Sequence, residues 1–452
     1  MKQRREILLL RIVKMLNVIL MLVPVYLFLY RVYTATGFQY PLVTFVSELL
    51  LFAILYCWIG RSYDAFLIQY NRVADLIYSQ CLAAAIADFM VFFTVGISEK
   101  ILPPLSFGLF MFVVQIILAA LWCVGGQKWY FGANPPLKTA IIWDQRTDFL
   151  ELLSNYGLSK RFKVTGDYSS SDIIQNIRFL DDVDAVFIAG VHSHERNYLV
   201  KYCVDKDIIA YVVPRIGDVI MNSSKRIHMF HLPVLQTSRY SPNPEYLLIK
   251  RALDIVVSSL ALMLISPIMV LTCLAIKLED GGPVFYKQLR LTQNGKEFYI
   301  LKFRSMIVNA EKDGKARLSS GSNDDRITKT GRFIRMCRID ELPQLINILK
   351  GEMSLVGPRP ERPEIIKEYV KELPEFNLRM QAKCGLTGYA QVYGKYNTSP
   401  YDKLQMDLMY LAKPSIVQDI TIMLATIKIL FMPESTEGIE SDKTTVMSGE
   451  NN

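Results

Sequence analysis

Four long apolar segments occupy roughly the first 126 residues and restrict the chain to folds that a lipid bilayer can accommodate. Each is about as long as a helix that crosses a hydrocarbon layer of about 30 Å at about 1.5 Å per residue. The first is not a simple cleaved signal peptide, because three more follow closely and no small-residue cleavage site stands out. The segments are Met15–Tyr30, Pro41–Gly60, Tyr78–Ser98 and Pro103–Gly126. The sequence therefore predicts a transmembrane domain of four helices over residues 1–130.

Basic residues around these spans predict their orientation. Short segments rich in Lys and Arg stay on the cytoplasmic side of a membrane. Arg61 and Arg72 lie between the second and third spans, and a basic segment precedes the first span. That segment contains Lys2, Arg4, Arg5, Arg11 and Lys14. The N-terminus is therefore expected inside, and four crossings return the chain to the cytoplasm.

Two acidic residues, Glu48 and Asp88, fall within predicted spans. Carboxylates inside a membrane are costly, so they are candidates for function. The alternative is that they face neighbouring helices or lie near an interface. This alternative is favoured, because neither residue has an obvious basic partner in the sequence.

The composition of the whole chain fits apolar segments joined to an ordinary soluble part. Hydrophobic residues make up 51% and charged residues 21%, and this mixture excludes a small disulfide scaffold, a collagen-like chain and a wholly disordered one. The seven cysteines are scattered without a Cys-x-x-Cys pair, which argues against a zinc site or a disulfide framework. The net charge of +8 suits anionic lipid surfaces or phosphorylated ligands, and no nucleic-acid partner is expected.

Short apolar runs alternate with amphipathic segments over residues 137–240, a pattern typical of a doubly wound parallel α/β sheet. The candidate strands are Thr139–Trp143, Phe162–Thr165, Ala185–Ala189, Ile208–Val213 and His228–Val234. Nucleotide-binding sheets of this Rossmann-like class carry a Gly-rich turn after the first strand. The turn Trp143–Asp148 has no glycine, so a structural or regulatory domain is favoured over a nucleotide site.

Two groups of side chains in this middle domain have metal-ligand chemistry. One group is His192, His194 and Glu195, and the other is His228 and His231. A solvated loop explains the first group, and alternate positions on a strand explain the second. Metal binding is the less favoured interpretation of both.

A fifth apolar segment, residues 255–277, is long enough to span a bilayer but carries Ser266 and Pro267 at its centre. Proline removes a backbone donor and clashes with the preceding turn, so it kinks a helix. Both flanks are basic, with Lys250 and Arg251 before the apolar run Ile255–Ile276 and Lys277 directly after it. We therefore expect a re-entrant helix that enters and leaves on the cytoplasmic face. The alternative is an ordinary crossing with a proline kink.

An adjacent carboxylate pair, Asp340 and Glu341, precedes an apolar segment in which Pro343 suits a first helical turn. Side chains at adjacent positions point in different directions. One carboxylate can therefore attack or accept a proton while the other holds a divalent cation. Mg²⁺ favours one or two carboxylates together with phosphate oxygens and waters. The alternative is that the pair only caps the helix.

Arginines surround this carboxylate pair in the sequence and suggest a phosphorylated ligand. A guanidinium group grips phosphate through two parallel hydrogen bonds. Pro358 and Pro360 would hold the backbone around Arg359 stiffly, as a positioned phosphate clamp requires. The candidate phosphate-binding residues are Arg332, Arg335, Arg338 and Arg359.

The chain from Gly281 to about Leu430 resembles the catalytic domain of the bacterial sugar transferases, the polyprenyl-phosphate glycosyl-1-phosphate transferases. The segments that carry the resemblance are KFRSM (Lys302–Met306), DRITKTGRFIR (Asp325–Arg335), IDELPQLINILKGEMSLVGPRPE (Ile339–Glu361), CGLTGYAQVYG (Cys384–Gly394) and MDLMYL (Met406–Leu411). The four preceding spans, the glycine-poor α/β domain and the proline-broken apolar segment also resemble the longer members of this family. The resemblance implies a mostly α, membrane-associated catalytic domain over residues 246–433.

The resemblance also implies a reaction in the bacterial inner membrane, with the catalytic domain on the cytoplasmic face. A sugar-1-phosphate would move from a nucleotide-diphosphate sugar, typically a UDP-sugar, to undecaprenyl phosphate. In such enzymes Asp340 would be the nucleophile that carries the sugar phosphate, and Glu341 would be the Mg²⁺ ligand. Arg335 and Arg359 match phosphate-contacting positions, and Lys302 and Arg304 are added by motif alone. The reaction would be the first membrane step in the synthesis of an exopolysaccharide, a capsule or another glycoconjugate.

Two positions depart from the family pattern, which usually has glycine at Thr292 and proline at Cys384. These departures concern local loop shape and substrate fit rather than the reaction class. Residues 434–452 are polar and acidic and are expected to be disordered. The middle domain is a candidate for contacts in a homodimer. A catalytically inactive membrane scaffold and a nucleotide-sensing membrane regulator are the alternatives to a transferase.

Overall fold

The computed structural model of this protein describes residues 2–36, 42–99, 102–144, 149–308, 326–394 and 398–430. The chain forms two compact units, Met1–Pro214 and Arg215–Asn452. The division falls inside the range 137–240 that the sequence assigns to the middle domain, and the predicted domain boundaries remain predictions. The expected disordered tail lies outside the described residues.

The first unit begins with four long helices, as the apolar segments predicted. Each is long and apolar enough to cross a membrane. They pack mainly in the pairs α1 with α2, α2 with α3, α3 with α4, and α1 with α4. The helices are α1 (Lys2–Thr36), α2 (Leu42–Ser62), α3 (Val73–Glu99) and α4 (Leu105–Ala133). Many large apolar side chains point outward, including Leu42, Ile54 and Leu121. Such a surface suits hydrocarbon rather than water.

Polar side chains inside this bundle pair with uncharged partners. Gln115 Nε2 donates to Asp88 Oδ1 at 3.1 Å, and both residues are buried. Thr94 Oγ1 donates to Glu48 Oε2 at 2.8 Å. Both membrane carboxylates therefore face neighbouring helices, as the favoured interpretation of the sequence held.

A four-stranded parallel sheet follows the bundle in the same unit. Its strands are β1 (Leu137–Trp143), β2 (Phe162–Ser169), β3 (Ala185–Ala189) and β4 (Ile209–Val212), in the order β2-β1-β3-β4. Its helices are α5 (Phe149–Asn155), α6 (Ser170–Gln175) and α7 (Ser193–Asp205). The prediction of a parallel α/β sheet is confirmed, while a closer kinship with nucleotide-binding folds remains a prediction.

Side chains that alternate along β1 cover both faces of this sheet. Ala140 and Ile142 belong to one buried apolar cluster, and Ile141 belongs to another. Successive residues of a strand point to opposite faces, so a parallel sheet that is buried on both sides needs a continuous apolar run. The turn after β1 extends into residues 145–148, which lie outside the described residues.

The fifth predicted strand, His228–Val234, is wrong as a single strand and is not part of the parallel sheet. It forms an antiparallel hairpin in the second unit, made of β5 (Lys225–Met229) and β6 (Leu232–Gln236). The reversal occurs at Phe230 and His231, whose φ angles are 54° and 60°. This left-handed pair matches the two-residue hairpin turn, which usually contains glycine or asparagine.

The second unit is rich in helices around one main apolar core. Its helices are α8 (Ile216–Asn222), α9 (Pro244–Asp280), α10 (Lys329–Met336), α11 (Gln344–Lys350), α12 (Pro363–Glu372), α13 (Tyr389–Tyr393), α14 (Pro400–Ala412) and α15 (Ile416–Leu430). Its remaining strands are the antiparallel pair β7 (Phe285–Leu291) and β8 (Glu297–Phe303) and the parallel pair β9 (Ser354–Val356) and β10 (Gly385–Thr387).

Helix α9 contains Ser266 and Pro267, where the sequence predicted a kink. The backbone stays helical through the whole of α9, which is also long and apolar enough to cross a membrane. Pro267 lacks the amide hydrogen that would bond to the carbonyl of Met263, four residues earlier. The Ser266 hydroxyl donates to that same carbonyl at 2.9 Å instead. The return of α9 to the face it entered remains a prediction.

Candidate active site

Asp340 and Glu341 lie in a short turn of 3-10 helix between α10 and α11. Arg338 introduces this turn with a left-handed backbone, φ 54°. The N-cap residue of α11 is Pro343, and no side chain makes a cap hydrogen bond there. The two carboxylates therefore do not cap α11, and the capping alternative loses its geometric support.

Glu341 is surrounded by cations. Lys302 Nζ lies 2.9 Å from Glu341 Oε1, and Arg359 Nη2 lies 3.6 Å from the same oxygen. Burial alone would raise the pKa of the Glu341 carboxyl group, but the charges of Lys302 and Arg359 outweigh it and hold that pKa well below its usual range. Glu341 therefore remains an anion at any physiological pH.

Asp340 has the opposite electrostatics, although it is the next residue. Burial, followed by the negative charge of Glu341, raises the pKa of Asp340 to about 6, against the opposing charges of Lys302 and Arg335. Environments that push two adjacent carboxylates apart in pKa are typical of sites that use them for different tasks. Here Asp340 is the group that changes its charge near neutral pH.

Asn347 holds β8, the strand that carries Lys302, against α11, the helix that follows the carboxylate pair Asp340 and Glu341. This pair is called the dyad below. Its side chain accepts from the amide of Leu301 at 3.0 Å and donates to the carbonyl of Tyr299 at 2.8 Å. It also donates to Glu352 Oε2 at 2.6 Å and is only 1% exposed. The sequence reasoning missed this residue. The available signal was a single polar residue inside the apolar run Leu345–Leu349.

Backbone hydrogen bonds to β10 hold the segment that carries Arg359 in place. The amide of Gly357 donates to the carbonyl of Thr387 at 2.9 Å, and the amide of Gly385 donates to the carbonyl of Pro358 at 3.0 Å. A Cβ atom at Gly357 would collide with the carbonyl oxygen of Lys383, so this close approach needs glycine. Arg359 thus projects from a fixed backbone.

The remaining predicted phosphate-binding residues lie in three different environments. Arg335 and Arg338 act electrostatically on the dyad, since Arg335 lowers the pKa of Asp340 and Arg338 lowers that of Glu341. Arg332 is exposed on α10. Arg304 instead forms a two-pronged ion pair with Asp280 at the end of α9. Phosphate binding by any of these residues remains a prediction.

The described residues contain no group of three or more His, Cys, Asp and Glu side chains that could hold a metal ion. The predicted Mg²⁺ site does not require one, because Mg²⁺ takes one or two carboxylates with substrate phosphates and waters. The ionised Glu341 beside Asp340 is a donor set that fits this requirement. In the middle domain, His192 and His194 are exposed, and His192 Nε2 faces Asp144 Oδ2 at 3.4 Å.

The two departures from the family pattern contact each other. The amide of Cys384 donates to Thr292 Oγ1 at 3.3 Å, and the Thr292 hydroxyl donates to the carbonyl of Glu352 at 3.0 Å. Glycine at 292 would offer no acceptor, and proline at 384 would have no amide hydrogen to donate. The two departures therefore compensate for one another. Both residues line the same shallow crevice as Arg359.

Known proteins are similar in sequence to the part of the chain that contains this site. The model of the family described as bacterial sugar transferase matches residues 245–433, which include the dyad, Lys302 and Arg359. A UDP-glucose:undecaprenyl-phosphate glucose-1-phosphate transferase of Caulobacter vibrioides is 40% identical over 191 residues, covering 41% of this chain and 71% of that protein. An uncharacterized sugar transferase of Bacillus subtilis is 37% identical over 191 residues, covering 42% of this chain and 91% of that protein.

A longer relative extends the match. A UDP-N-acetylgalactosamine-undecaprenyl-phosphate N-acetylgalactosaminephosphotransferase of Aeromonas hydrophila is 37% identical over 231 residues. The match covers 50% of this chain and 53% of that protein, so the chain spans about half the length of this relative. The chain belongs to the bacterial sugar transferase family.

Proposed function

We propose that this protein transfers a sugar-1-phosphate from a UDP-sugar to undecaprenyl phosphate, with Asp340 as a covalent nucleophile. The observation that carries this proposal is the opposite electrostatics of two adjacent carboxylates. Lys302 and Arg359 hold Glu341 as an anion, while Asp340, in the same cationic cluster, forms no ion pair with the residues that the structure describes. The names of the relatives support the substrates.

The first step is the attack of an Asp340 carboxylate oxygen on the phosphorus that carries the sugar. A new bond forms between this oxygen and phosphorus as the bond to the bridging oxygen of the diphosphate breaks. Uridine monophosphate leaves with the bonding electrons, and an acyl-phosphate that bears the sugar remains. Covalent catalysis of this kind divides one difficult displacement into two easier ones.

The second step regenerates the enzyme. An oxygen of undecaprenyl phosphate attacks the same phosphorus, and the bond between phosphorus and Asp340 breaks. The products are the polyprenyl-diphosphate sugar and a free aspartate. Lys302, Arg335 and Arg359 stabilise the negative charge that develops on the phosphoryl oxygens. Glu341, with Asp340, would hold Mg²⁺, which supplies charge neutralisation on the diphosphate when bound.

The second unit, Arg215–Asn452, is called the catalytic unit below. The contacts of α9 support a catalytic unit that stays on one face of the membrane. Pro267 divides α9 into a first and a second arm. In the first arm, Arg251 donates to the carbonyls of Ile348 and Leu349, each at 2.7 Å. At its far end, Asp280 pairs with Arg304. Both arms of the helix therefore bind the same catalytic core.

The residues that hold the two arms, Ile348 for the first and Arg304 for the second, lie close together in the catalytic unit. Asn347, next to the anchor of the first arm, bonds to Leu301, and Leu301 lies three residues before the anchor of the second arm. Three residues of extended chain cover only about 10 Å. A helix that crossed the bilayer would have about 30 Å of hydrocarbon between its ends. The contacts therefore favour a re-entrant helix, which would bring the dyad to the depth of lipid headgroups.

The test is release of uridine monophosphate by purified full-length protein given undecaprenyl phosphate, Mg²⁺ and a panel of UDP-sugars. We expect release with at least one donor and a loss of at least 10³-fold in Asp340→Asn, as for removal of a covalent nucleophile. Glu372→Gln, which changes an exposed acid at the end of α12, is the matched control and should retain full activity. A wild-type protein that is inert with every donor would favour the scaffold alternative.

A quench experiment separates the covalent path from direct displacement. Protein mixed with a donor labelled in the sugar, without lipid acceptor, should carry the label through Asp340. No labelled protein under rapid quench, together with normal turnover, would show that Asp340 acts as a base in a single displacement.

A further inference from the structure

We propose that Glu361 is a positioning residue that aims the Arg359 guanidinium at the diphosphate of the donor. This inference rests on the proposed function. It adds Glu361, which lies outside the dyad, to the residues that position the donor. Glu361 lies two residues after Arg359, at the end of the Pro358–Pro360 turn. It acts by fixing the turn from which Arg359 projects.

Glu361 is clamped between two guanidinium groups that come from different parts of the catalytic unit. Arg290 Nη1 at the end of β7 lies 3.6 Å from Glu361 Oε2, and Arg379 Nη1 lies 3.8 Å from Glu361 Oε1. The side chains of Arg290, Glu361 and Arg379 are 17%, 16% and 3% exposed. Each carboxylate oxygen thus has its own cation, which fixes the orientation of the side chain.

The same strand end also holds the backbone that follows Arg359. Arg290 Nη1 donates to the carbonyl of Pro360 at 3.0 Å. The amide of Leu291 donates to the carbonyl of Glu361 at 3.1 Å. Together with the bonds that hold Gly357 and Pro358, these contacts secure the turn on both sides of Arg359.

The second guanidinium is itself held in place from α14. Arg379 Nε and Nη2 both bond to Asp407 Oδ2, at 2.8 Å and 2.7 Å. Asp407 is buried, so the pair leaves Arg379 little freedom to follow a moving partner. The clamp on Glu361 is therefore rigid on the Arg379 side as well.

Stability alone is a weak explanation for such a cluster. The desolvation cost of buried charges often exceeds their mutual attraction, and apolar replacements of similar volume are frequently as stable. Burial lowers the pKa of Arg290 to about 10, although the charge of Glu361 opposes this shift. The cluster nevertheless surrounds the turn that carries Arg359. The Arg359 side chain is 46% exposed and contacts Glu341. Precise placement of that side chain explains why the charges are there.

The test is a double-mutant cycle on the full-length protein with Glu361→Gln, Arg359→Ala and the combination of both. Two quantities are measured: the affinity for UDP in the presence of Mg²⁺, and the KM and kcat for the donor. We expect Glu361→Gln to weaken UDP binding and to raise the donor KM, each about tenfold, with kcat changed less than threefold. In the Arg359→Ala background the same change should have no further effect, because Glu361 acts through Arg359.

Ser399→Ala is the matched control for a loss of stability without a change at the turn. The Ser399 hydroxyl accepts from the amide of Asp402 at 3.1 Å and caps α14. Its removal should lower the unfolding temperature and leave UDP affinity unchanged in both backgrounds. Independent, multiplying effects of Glu361→Gln and Arg359→Ala would overturn the positioning role.

The two measurements separate the two proposals. A protein that binds UDP with the predicted coupling but turns over no donor keeps the positioning role and loses the proposed function. A protein that turns over a donor without the coupling keeps the function and loses the positioning role. No UDP binding and no turnover would end both.

Discussion

The membrane bundle and the catalytic unit treat buried acidic side chains differently. In the bundle, Asp88 and Glu48 pair with the uncharged groups of Gln115 and Thr94. In the catalytic unit, most buried acids face a cation, as Asp419 does with Lys250 at 2.9 Å. A neutral partner stabilises either protonation state of an acid, whereas a cation stabilises only the anion. The difference teaches that ion pairs of buried acids are concentrated in the unit for which phosphate chemistry is proposed.

Two acids in the catalytic unit depart from this pattern. Buried Asp254 accepts hydrogen bonds from the Ser354 hydroxyl and the Leu355 amide, which are both uncharged. Asp340 lies among cations, yet burial and the charge of Glu341 raise its pKa to about 6. It is also the residue proposed to react. Asp340 is therefore the departure that lies where the proposed chemistry uses a carboxylate, and the following tests examine each side of the comparison.

The largest expected effect follows from breaking a buried ion pair in the catalytic unit. Asp419→Asn should lower the free energy of unfolding by about 3 kcal/mol or more, because the Lys250 ammonium would remain buried without its counter-charge. The measurement is denaturation of the purified full-length protein. The double variant Asp419→Asn with Lys250→Met should recover part of the loss. A double variant that is less stable than the single one would contradict this explanation.

Asp340→Asn, in contrast to Asp419→Asn, should raise the free energy of unfolding and so stabilise the protein. A raised pKa means that the folded state favours the protonated carboxyl group, so its ionisation opposes folding. Asp340 should therefore reduce stability progressively as pH rises from about 4 to about 6, by about 2–3 kcal/mol in total, and by a constant amount above pH 6. The asparagine variant lacks this loss.

The measurement compares the unfolding of wild type and Asp340→Asn across this pH range, without divalent cation. The gap between the two proteins should grow up to pH 6 and then stay level. A gap that shrinks as pH rises would mean that Asp340 is stabilised as an anion. Transfer by the wild type should decline as pH falls through about 6, because the nucleophile becomes protonated.

An uncharged hydrogen bond in the catalytic unit should matter less than its ion pairs. Thr292→Gly should cost about 1–2 kcal/mol, since it leaves the buried amide of Cys384 without an acceptor. Adding Cys384→Pro removes that amide hydrogen and should restore part of the stability, as read from thermal unfolding. If the second change destabilises the glycine variant further, the two positions do not compensate for one another.

The smallest effect is expected in the bundle. Asp88→Asn keeps an acceptor for Gln115 Nε2 and removes no charge partner, so unfolding should change by less than about 1 kcal/mol. Asp88→Leu removes the acceptor and provides the contrast, with an expected loss of about 1–3 kcal/mol. The readout is thermal unfolding in detergent. A large loss in the asparagine variant would indicate that Asp88 needs a negative charge.

Much of this architecture could be predicted from local pattern. Spans follow from the length of apolar runs, and the parallel sheet follows from the alternation of strands and amphipathic segments. The dyad and the Arg359 turn were identifiable because several unusual residues lie close together in the sequence. In these regions local pattern and final structure agree.

Other features depend on contacts between distant segments and could not be predicted. The motif that contains Lys302 and Arg304 gave both the same role, but only Lys302 meets the dyad. Arg304 follows the last residue of β8 and turns to Asp280, which lies 24 residues earlier in the chain. The reversal at Phe230 was hidden because it contains none of the usual turn residues.

The hydroxyl of Ser266 has a consequence for how a long apolar helix can tolerate a proline. An unpaired carbonyl in hydrocarbon costs several kcal/mol, and a proline normally creates one. Here the residue beside the proline supplies the missing donor to Met263. The helix can therefore pass Pro267 with the carbonyl of Met263 still bonded, and Ser266→Ala would leave that carbonyl without this donor.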